Sequence, residues 1–554
     1  MQADVIVIGS GAGGLTAAIT AAKAGLQVTL LEATPVFGGT TALSGGGVWI
    51  PANHHQPELG VSDSRAEAAT YLRAVLGNFY DAAKVDAFLE NAPKMLEYLE
   101  QNTDLRLTAS TIPDYAPGQP GWKTGRCLLT ADYDAREMGP WFKKLRPPIQ
   151  EMGLFSSMQL SPADAFMMSM WNKSFAALKL TTKRMLGYAR DRALGRRGSG
   201  LANGNALAGR LLKSAADAGM LLLSEHRAQE LLLENGIVIG VRANHRGGTV
   251  NFFARRGVIL ASGGFGANTE MRRKYVAQAD AGWSLQPEGS QGDGINMGIT
   301  AGGTLNEGNA ANGIWVPASA LKHKDGTLAK FPSLFFDRHC PGSIMVDART
   351  AQRFVDESFH YQNFGTTTQA KGVTKIWQIN DHTAVQKYGL GMVKPAPFPI
   401  SPWVKKGYIV EAGSIRALAE KIGLDAAALE QTVATFNTYA DAGHDPDFNR
   451  GGNEYSAYMG DASHKPNPAL GALRTPPFYA LEIRPSDLST LAGLDTNEHA
   501  QVLGPNGAPI PGLYAAGLDN NTMMRGRYPG GGSSIGPAMT FGYIAARHLA
   551  ASPD

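Results

Sequence analysis

The chain has 554 residues, 44% hydrophobic and 18% charged, the balance of a soluble protein with two or three domains and a sizeable core. A formal net charge of +3 and the lack of interleaved basic and aromatic residues speak against a nucleic-acid partner, and two widely separated cysteines, Cys127 and Cys340, against a disulfide framework or a cysteine zinc site. No apolar run approaches the roughly 18 residues of a spanning helix, and the first strand begins at Asp4, leaving no room for a secretion signal, so a reducing cytoplasm is expected.

Val5-Ile6-Val7-Ile8 reads as a buried parallel strand, and Gly9-Ser10-Gly11-Ala12-Gly13-Gly14 opens an Ala-rich helix to about Gly25. In this pattern Gly9 makes the tight turn, Gly11 lets a pyrophosphate approach, and Gly14 lets helix and strand pack closely. A second strand from Gln27 to Leu31 ends in Glu32, placed to accept hydrogen bonds from an adenosine ribose, which makes the ligand a dinucleotide. Gly38-Gly39-Thr40-Thr41 and Ser44-Gly45-Gly46-Gly47 then supply a second flexible segment that a nicotinamide fold does not need and a flavin does. The expected cofactor is FAD. No histidine lies in that segment, so it is expected to be held non-covalently.

Residues 150–200 are the most individual part. Ser161-Pro162 is a helix start, and Phe166, Met167, Met168, Met170 and Trp171 form a soft apolar cluster. Between Lys173 and Arg197 eight basic residues accompany one acidic residue, Asp191, which fits a helical lid or, as the less favoured reading, a membrane-surface face at 173–197. Residues 219–242 read as a hairpin around Glu234-Asn235-Gly236, and Gly257 to Gly266 as a strand entering a Gly turn at Gly263. From Gly313 to Ser486 a second domain is expected, with helices at Ser414–Ile422 and Asp425–Ala440 burying Leu429, Val433 and Phe436. Gly443-His444-Asp445-Pro446-Asp447 lacks further ligands and reads as a capped turn, so no metal is expected.

Pro511 to Gly517 is a short strand ending in a turn, followed by Asp519. Tyr528-Pro529-Gly530-Gly531-Gly532-Ser533-Ser534-Ile535-Gly536-Pro537 then leads into an apolar helix, with Pro537 expected at its first position. The crowded N–H groups ahead of that helix, with Ser534 and Ile535, suit a reduced, anionic flavin.

With these motifs in place the sequence resembles the fumarate reductase and 3-ketosteroid dehydrogenase flavoproteins, and within them the 3-ketosteroid Δ1-dehydrogenases. The Gly9–Gly14 motif, Gly38 to Trp49, Gly292-Asp293-Gly294, Arg353-Phe354-Val355-Asp356-Glu357, Pro511 to Gly517 and Tyr528 to Gly532 carry the likeness over nearly the whole chain. The resemblance implies that Tyr528 and the Gly532 N–H hold a ketone oxygen, that Tyr361 is the base, and that Tyr115, ahead of Thr124-Gly125-Arg126, assists it. Dicarboxylate reductases carry an Arg where Tyr528 stands and a His near Ser489, so the substrate should be an uncharged carbonyl compound. Ala492-Gly493 and Leu518 depart from the usual Gly-Gly and Asn of the steroid enzymes.

The fold expected is α/β, a discontinuous Rossmann-type FAD-binding domain (residues 1–312 and 487–554) with an inserted α+β catalytic domain (313–486). The activity expected is α,β-dehydrogenation of a small lipophilic ketone, a 3-ketosteroid before a simple cyclohexanone, with an external electron acceptor. Ene-reduction in the reverse sense and a flavin carrier without turnover are the alternatives.

Overall fold

The computed structural model describes residues 1–155, 157–276, 281–334 and 337–551. In chain order the first half supplies β1 (Gln2–Ile8), α1 (Ala12–Lys23), β2 (Val28–Leu31), β3 (Gly47–Trp49), α2 (Ala82–Asn102), β4 (Cys127–Thr130), α3 (Phe175–Ala193) and β5 (Leu221–Leu223). An antiparallel meander follows, β6 (Arg227–Glu234), β7 (Ile237–His245) and β8 (Gly248–Leu260). Its first turn is the expected Asn-Gly hairpin, with Asn235 at φ 51° and Gly236 at φ 80°, which matches the twist of the flanking strands.

The second half opens with β9 (Gly313–Lys322), β10 (Leu328–Pro332), β11 (Ser343–Asp347), α4 (Tyr361–Ala370), β12 (Ile376–Asn380), β13 (Ile409–Ala412) and the long β14 (Phe478–Thr490). These strands form one sheet in the order β10-β9-β14-β12-β11, with β13 also on β14. Residue 486 lies inside β14, whose far end runs on towards the cofactor half of the molecule. The expected helices appear as Ile415–Ile422 and Ala426–Ala442, capped by Ser414 and Asp425, with Leu429, Val433 and Phe436 buried. Asp445 does more than shape a turn: it pairs with Arg353 at 2.8 Å.

The chain then returns to the first half with β15 (Gln501–Leu503), β16 (Pro509–Ala515) and α5 (Ile535–Ala551). The main sheet runs β15-β16-β8-β1-β2-β5, with β7 and β6 extending from β8, so strands from both ends of the sequence lie side by side. Alternation along β1 explains its two coats: Val5 and Val7 face the helices, while Ile6 and Ile8 face the meander. Close backbone approach fixes the glycines here. A Cβ on Gly9 would stand 2.1 Å from the Ala261 carbonyl oxygen, and one on Gly542 of α5 2.4 Å from that of Gly13 in α1. The last helix begins at Ile535, so Pro537 sits inside its first turn rather than at its first position, still where no intrahelical N–H bond is lost.

Among the described residues no helix is long and apolar enough to cross a membrane. α3 stands apart from the core, with only Ala177 and Asp191 buried along it.

Candidate active site

One continuous cavity runs from the C-terminal ends of β1 and β2 to the junction with the second sheet. At one end the turn after β1, Glu32 and Thr34 line it; at the other, Ile112, Leu285, Ile314, Pro332 and Leu334 do, with Tyr115, Tyr361 and Tyr528. Of the expected cofactor residues, Gly9, Gly11, Ala12, Gly13, Gly14, Glu32, Gly39, Thr40, Thr41, Ser44, Gly45, Gly46, Gly263, Gly517, Ser534 and Ile535 all line this cavity. Gly38 and Asp519 do not, and both stand one step behind the wall. The Gly38 N–H donates to Ser10 Oγ at 2.9 Å, and a Cβ there would meet Ala42 and Ala208. The Asp519 carboxylate accepts from the Ser262 N–H (2.5 Å) and hydroxyl (3.0 Å), and burial raises it to about 6.

The donor set fits a flavin dinucleotide. The N-terminal ends of α1 and α5 both open on the cavity, which suits a pyrophosphate and an anionic flavin respectively. Gly45 and Gly517 line it with no heavy atom within 4 Å of where a Cβ would stand, leaving the space a ligand needs. Glu32 is held by Ser10 Oγ (2.5 Å) and by the Thr34 N–H and hydroxyl (2.9 Å each), which fixes its carboxylate at the end suited to a ribose. Thr41 Oγ1 accepts the Ala12 N–H at 2.9 Å, so the second glycine segment also caps α1.

At the other end the three expected tyrosines converge. Ring centroids are 5.7 Å apart for Tyr115 and Tyr361, 5.3 Å for Tyr361 and Tyr528, and 5.8 Å for Tyr115 and Tyr528. They come from three separate segments: the Tyr115 loop, the start of α4, and the loop before α5. Burial, then the neighbouring phenols, pushes Tyr361 well above the ordinary phenol value, and Tyr115 likewise. Burial raises Tyr528 too, but hydrogen bonding with Tyr361, Ser534 and the Gly532 N–H works against it. Tyr528 and the Gly532 N–H thus stand together. A Cβ on Gly532 would lie 2.5 Å from the Gly47 carbonyl, so the N–H is presented by a backbone wedged against β3.

The support behind the tyrosines is polar and fully buried. Asp114 accepts from Trp49 Nε1 (2.8 Å) and Arg126 Nη1 (2.7 Å), and Arg126 also grips Asp63 through Nε (2.7 Å) and Nη2 (2.8 Å). Burial lifts Asp114 to about 7 against the pull of Arg126. The Pro529 carbonyl accepts from the Tyr115 N–H (2.7 Å) and the Tyr71 hydroxyl (2.6 Å), which ties the Tyr115 loop to the Tyr528 loop. Tyr455 meets Tyr115 edge-on at 4.9 Å, and His360 stacks on Tyr115 at 5.2 Å. Burial and Arg338 hold His360 at about 3, so it is neutral. No sequence signal pointed to Tyr455 or His360, whereas Trp49 and Arg126 sat inside motifs already singled out.

None of the described residues of 150–200 lines the cavity, and Trp171 is exposed. Trp122 does not line the cavity, and its Nε1 donates to the Asp114 carbonyl at 2.8 Å. The Phe166 side chain lies outside the described residues.

The chain matches the FAD binding domain family over residues 4–535. It is 38% identical to a 4-oxocyclohex-2-ene-1-carboxylate 5-dehydrogenase of Sinomonas cyclohexanicum, over 99% of this chain and 93% of that protein. It is 36% identical to a 3-oxosteroid 1-dehydrogenase of Mycolicibacterium smegmatis, over 99% and 97% of the two. The solved structure of a 3-ketosteroid Δ1-dehydrogenase from Sterolibacterium denitrificans, in complex with 1,4-androstadiene-3,17-dione, superposes with a TM-score of 0.91 at 34% identity, over the whole of both chains.

Proposed function

The chain belongs to the FAD binding domain family as a 3-ketosteroid dehydrogenase-like oxidoreductase, and from that premise we propose that it desaturates an uncharged cyclic ketone between its α and β carbons, a 3-ketosteroid at C1 and C2 foremost. One observation carries the substrate class. Around the three tyrosines the cavity is walled by Ile112, Leu285, Ile314, Pro332, Leu334 and Leu488; Arg146, the one Arg or Lys among its described lining residues, hydrogen-bonds Thr34 at the Glu32 end. A substrate carboxylate would meet no Arg or Lys there among the described residues. Neither Trp122 nor Trp171 lines the cavity, which supports a steroid over a single ring.

In this reading the ketone oxygen lies between the Tyr528 hydroxyl and the Gly532 N–H, which donate to the developing enolate. Tyr361 Oη takes the α proton, and Tyr115 donates to the phenolate oxygen. FAD, when bound, supplies the acceptor for the hydride that leaves the β carbon, and an external acceptor removes the two electrons afterwards. The aliphatic wall keeps water from the enolate. Comparing anaerobic flavin bleaching by a 4-ene-3-ketosteroid, cyclohexanone and 4-oxocyclohexanecarboxylate tests the class: the neutral steroid should react fastest, and preference for the carboxylate would overturn it.

The surface of α3 supports a peripheral contact with an anionic lipid surface, the source of so apolar a substrate. Phe175 is 81% and Leu186 67% exposed, among the basic residues Lys179, Lys183 and Arg190. Co-sedimentation with anionic but not with zwitterionic vesicles is the expected result, and equal indifference to both would remove the contact. The buried, reduced Cys127 and Cys340 fit a cytoplasmic enzyme at that surface.

A further inference from the structure

The loop after β3 carries His54 and His55, and the last turn of α2 carries Glu100. His54 Nε2 and His55 Nε2 both approach Glu100 Oε2, at 2.9 and 3.0 Å, and the three atoms lie within 4.8 Å of one another. Each of the two inner groups is oriented from behind. His55 Nδ1 stands 2.8 Å from Glu58 Oε1, and Glu100 Oε1 accepts the Leu107 N–H at 2.9 Å. A carboxylate on the far nitrogen is how metal-bound imidazoles are held in one tautomer.

We propose that His54, His55 and Glu100 form a binding site for a divalent transition metal of the zinc class, completed by water on the exposed His54 side. Two imidazoles and one carboxylate are a common zinc donor set, and bonds of about 2.0–2.1 Å place tetrahedral ligand atoms about 3.3 Å apart. The two nitrogen–carboxylate separations therefore need to open by only a few tenths of an ångström, and all three atoms already lie within 4.8 Å of one another.

In a metal site His55 Nε2 would present its lone pair to the ion while Nδ1 keeps its proton for the Glu58 carboxylate. The groups facing His55 are His54, Glu58 and Glu100, while the nearby Arg106 guanidinium is turned to the carbonyls of Glu100 (2.8 Å) and Thr103 (2.9 Å).

The position gives the site a structural role. In the same loop Asn53 Nδ2 donates to the Gly125 carbonyl (3.0 Å) and the Ala52 N–H to Asp63 (3.1 Å), the partner of Arg126 beneath Tyr115. A metal would staple this loop to α2 and stiffen the support of the tyrosines without touching them. The sequence offered no sign of it, because only the fold brings Glu100 to the histidine pair.

The test uses untagged, full-length holoenzyme stripped with a chelator and then given zinc chloride. One zinc per chain should survive gel filtration at about pH 7.5, raise the thermal midpoint, and bind at least about tenfold more weakly at about pH 5.5. His54→Gln, at an exposed position that tolerates change, and Glu100→Gln should each lose the zinc and the shift in midpoint while flavin reduction in metal-free buffer persists. No stoichiometric zinc in the wild type, or equal retention by both variants, would overturn the site.

Discussion

Tyr361 is neutral at physiological pH, because burial and two neighbouring phenols raise it well above the ordinary phenol value. A base that acts as phenolate then becomes more abundant by about tenfold per pH unit below its pKa. The flavin-reduction rate should therefore climb from about pH 6 to about pH 9. A flat profile over that range would mean that another group takes the proton. Tyr361→Phe should slow reduction by about a hundredfold or more with FAD still bound, the usual loss for a general base, and a near-normal rate would remove it from the mechanism. Tyr528→Phe should cost about 10²- to 10³-fold, since the Gly532 N–H remains. Tyr115, Tyr361 and Tyr528 were legible as candidates through the family resemblance that their neighbouring motifs carry. Tyr455 and His360 were not, since packing alone brings them to Tyr115.

Two loops, the start of α4 and the edge of β3 make the tyrosine end of the site, and their register depends on buried contacts between distant segments. Tyr71 reaches the Pro529 carbonyl across 458 residues of sequence, a link no local pattern encodes. The glycine turns, by contrast, could be read because their roles are steric: Gly14 has no room for a Cβ, which would stand 2.1 Å from the Gly9 carbonyl oxygen. Gly530 is a similar case. A Cβ there would lie 2.5 Å from Trp49 Nε1 and 2.8 Å from Asp114 Oδ1, so Gly530→Ala should displace the Tyr528 loop and depress flavin reduction while FAD stays bound. Unchanged reduction would show that the loop can move aside. Asp114→Ala leaves Trp49 and one arm of Arg126 without an acceptor in a dry interior. It should destabilise the protein by about 3 kcal/mol in urea unfolding, and a loss below about 1 kcal/mol would mean the network is relaxed by other groups.

At the scale of the whole molecule, the two halves of the FAD-binding part meet through β1, β8 and β16, and the second sheet closes over the tyrosine end. That α/β organisation was readable from strand and glycine patterns at both ends of the chain. The course of residues 150–200 was not, because a Met-rich segment followed by a basic helix suits both a lid and an outer surface. The purified protein should be yellow and lose FAD to acid; flavin that precipitates with the chain would point to a covalent link. The most direct test of the proposed chemistry is an anaerobic titration of the enzyme with a 4-ene-3-ketosteroid, followed by flavin absorbance and mass spectrometry of the steroid. The expected result is bleaching at one steroid per flavin with a product lighter by about two hydrogens, in line with α-proton removal and β-hydride loss. A flavin that stays oxidised with saturating steroid, or a steroid recovered unchanged, would contradict it.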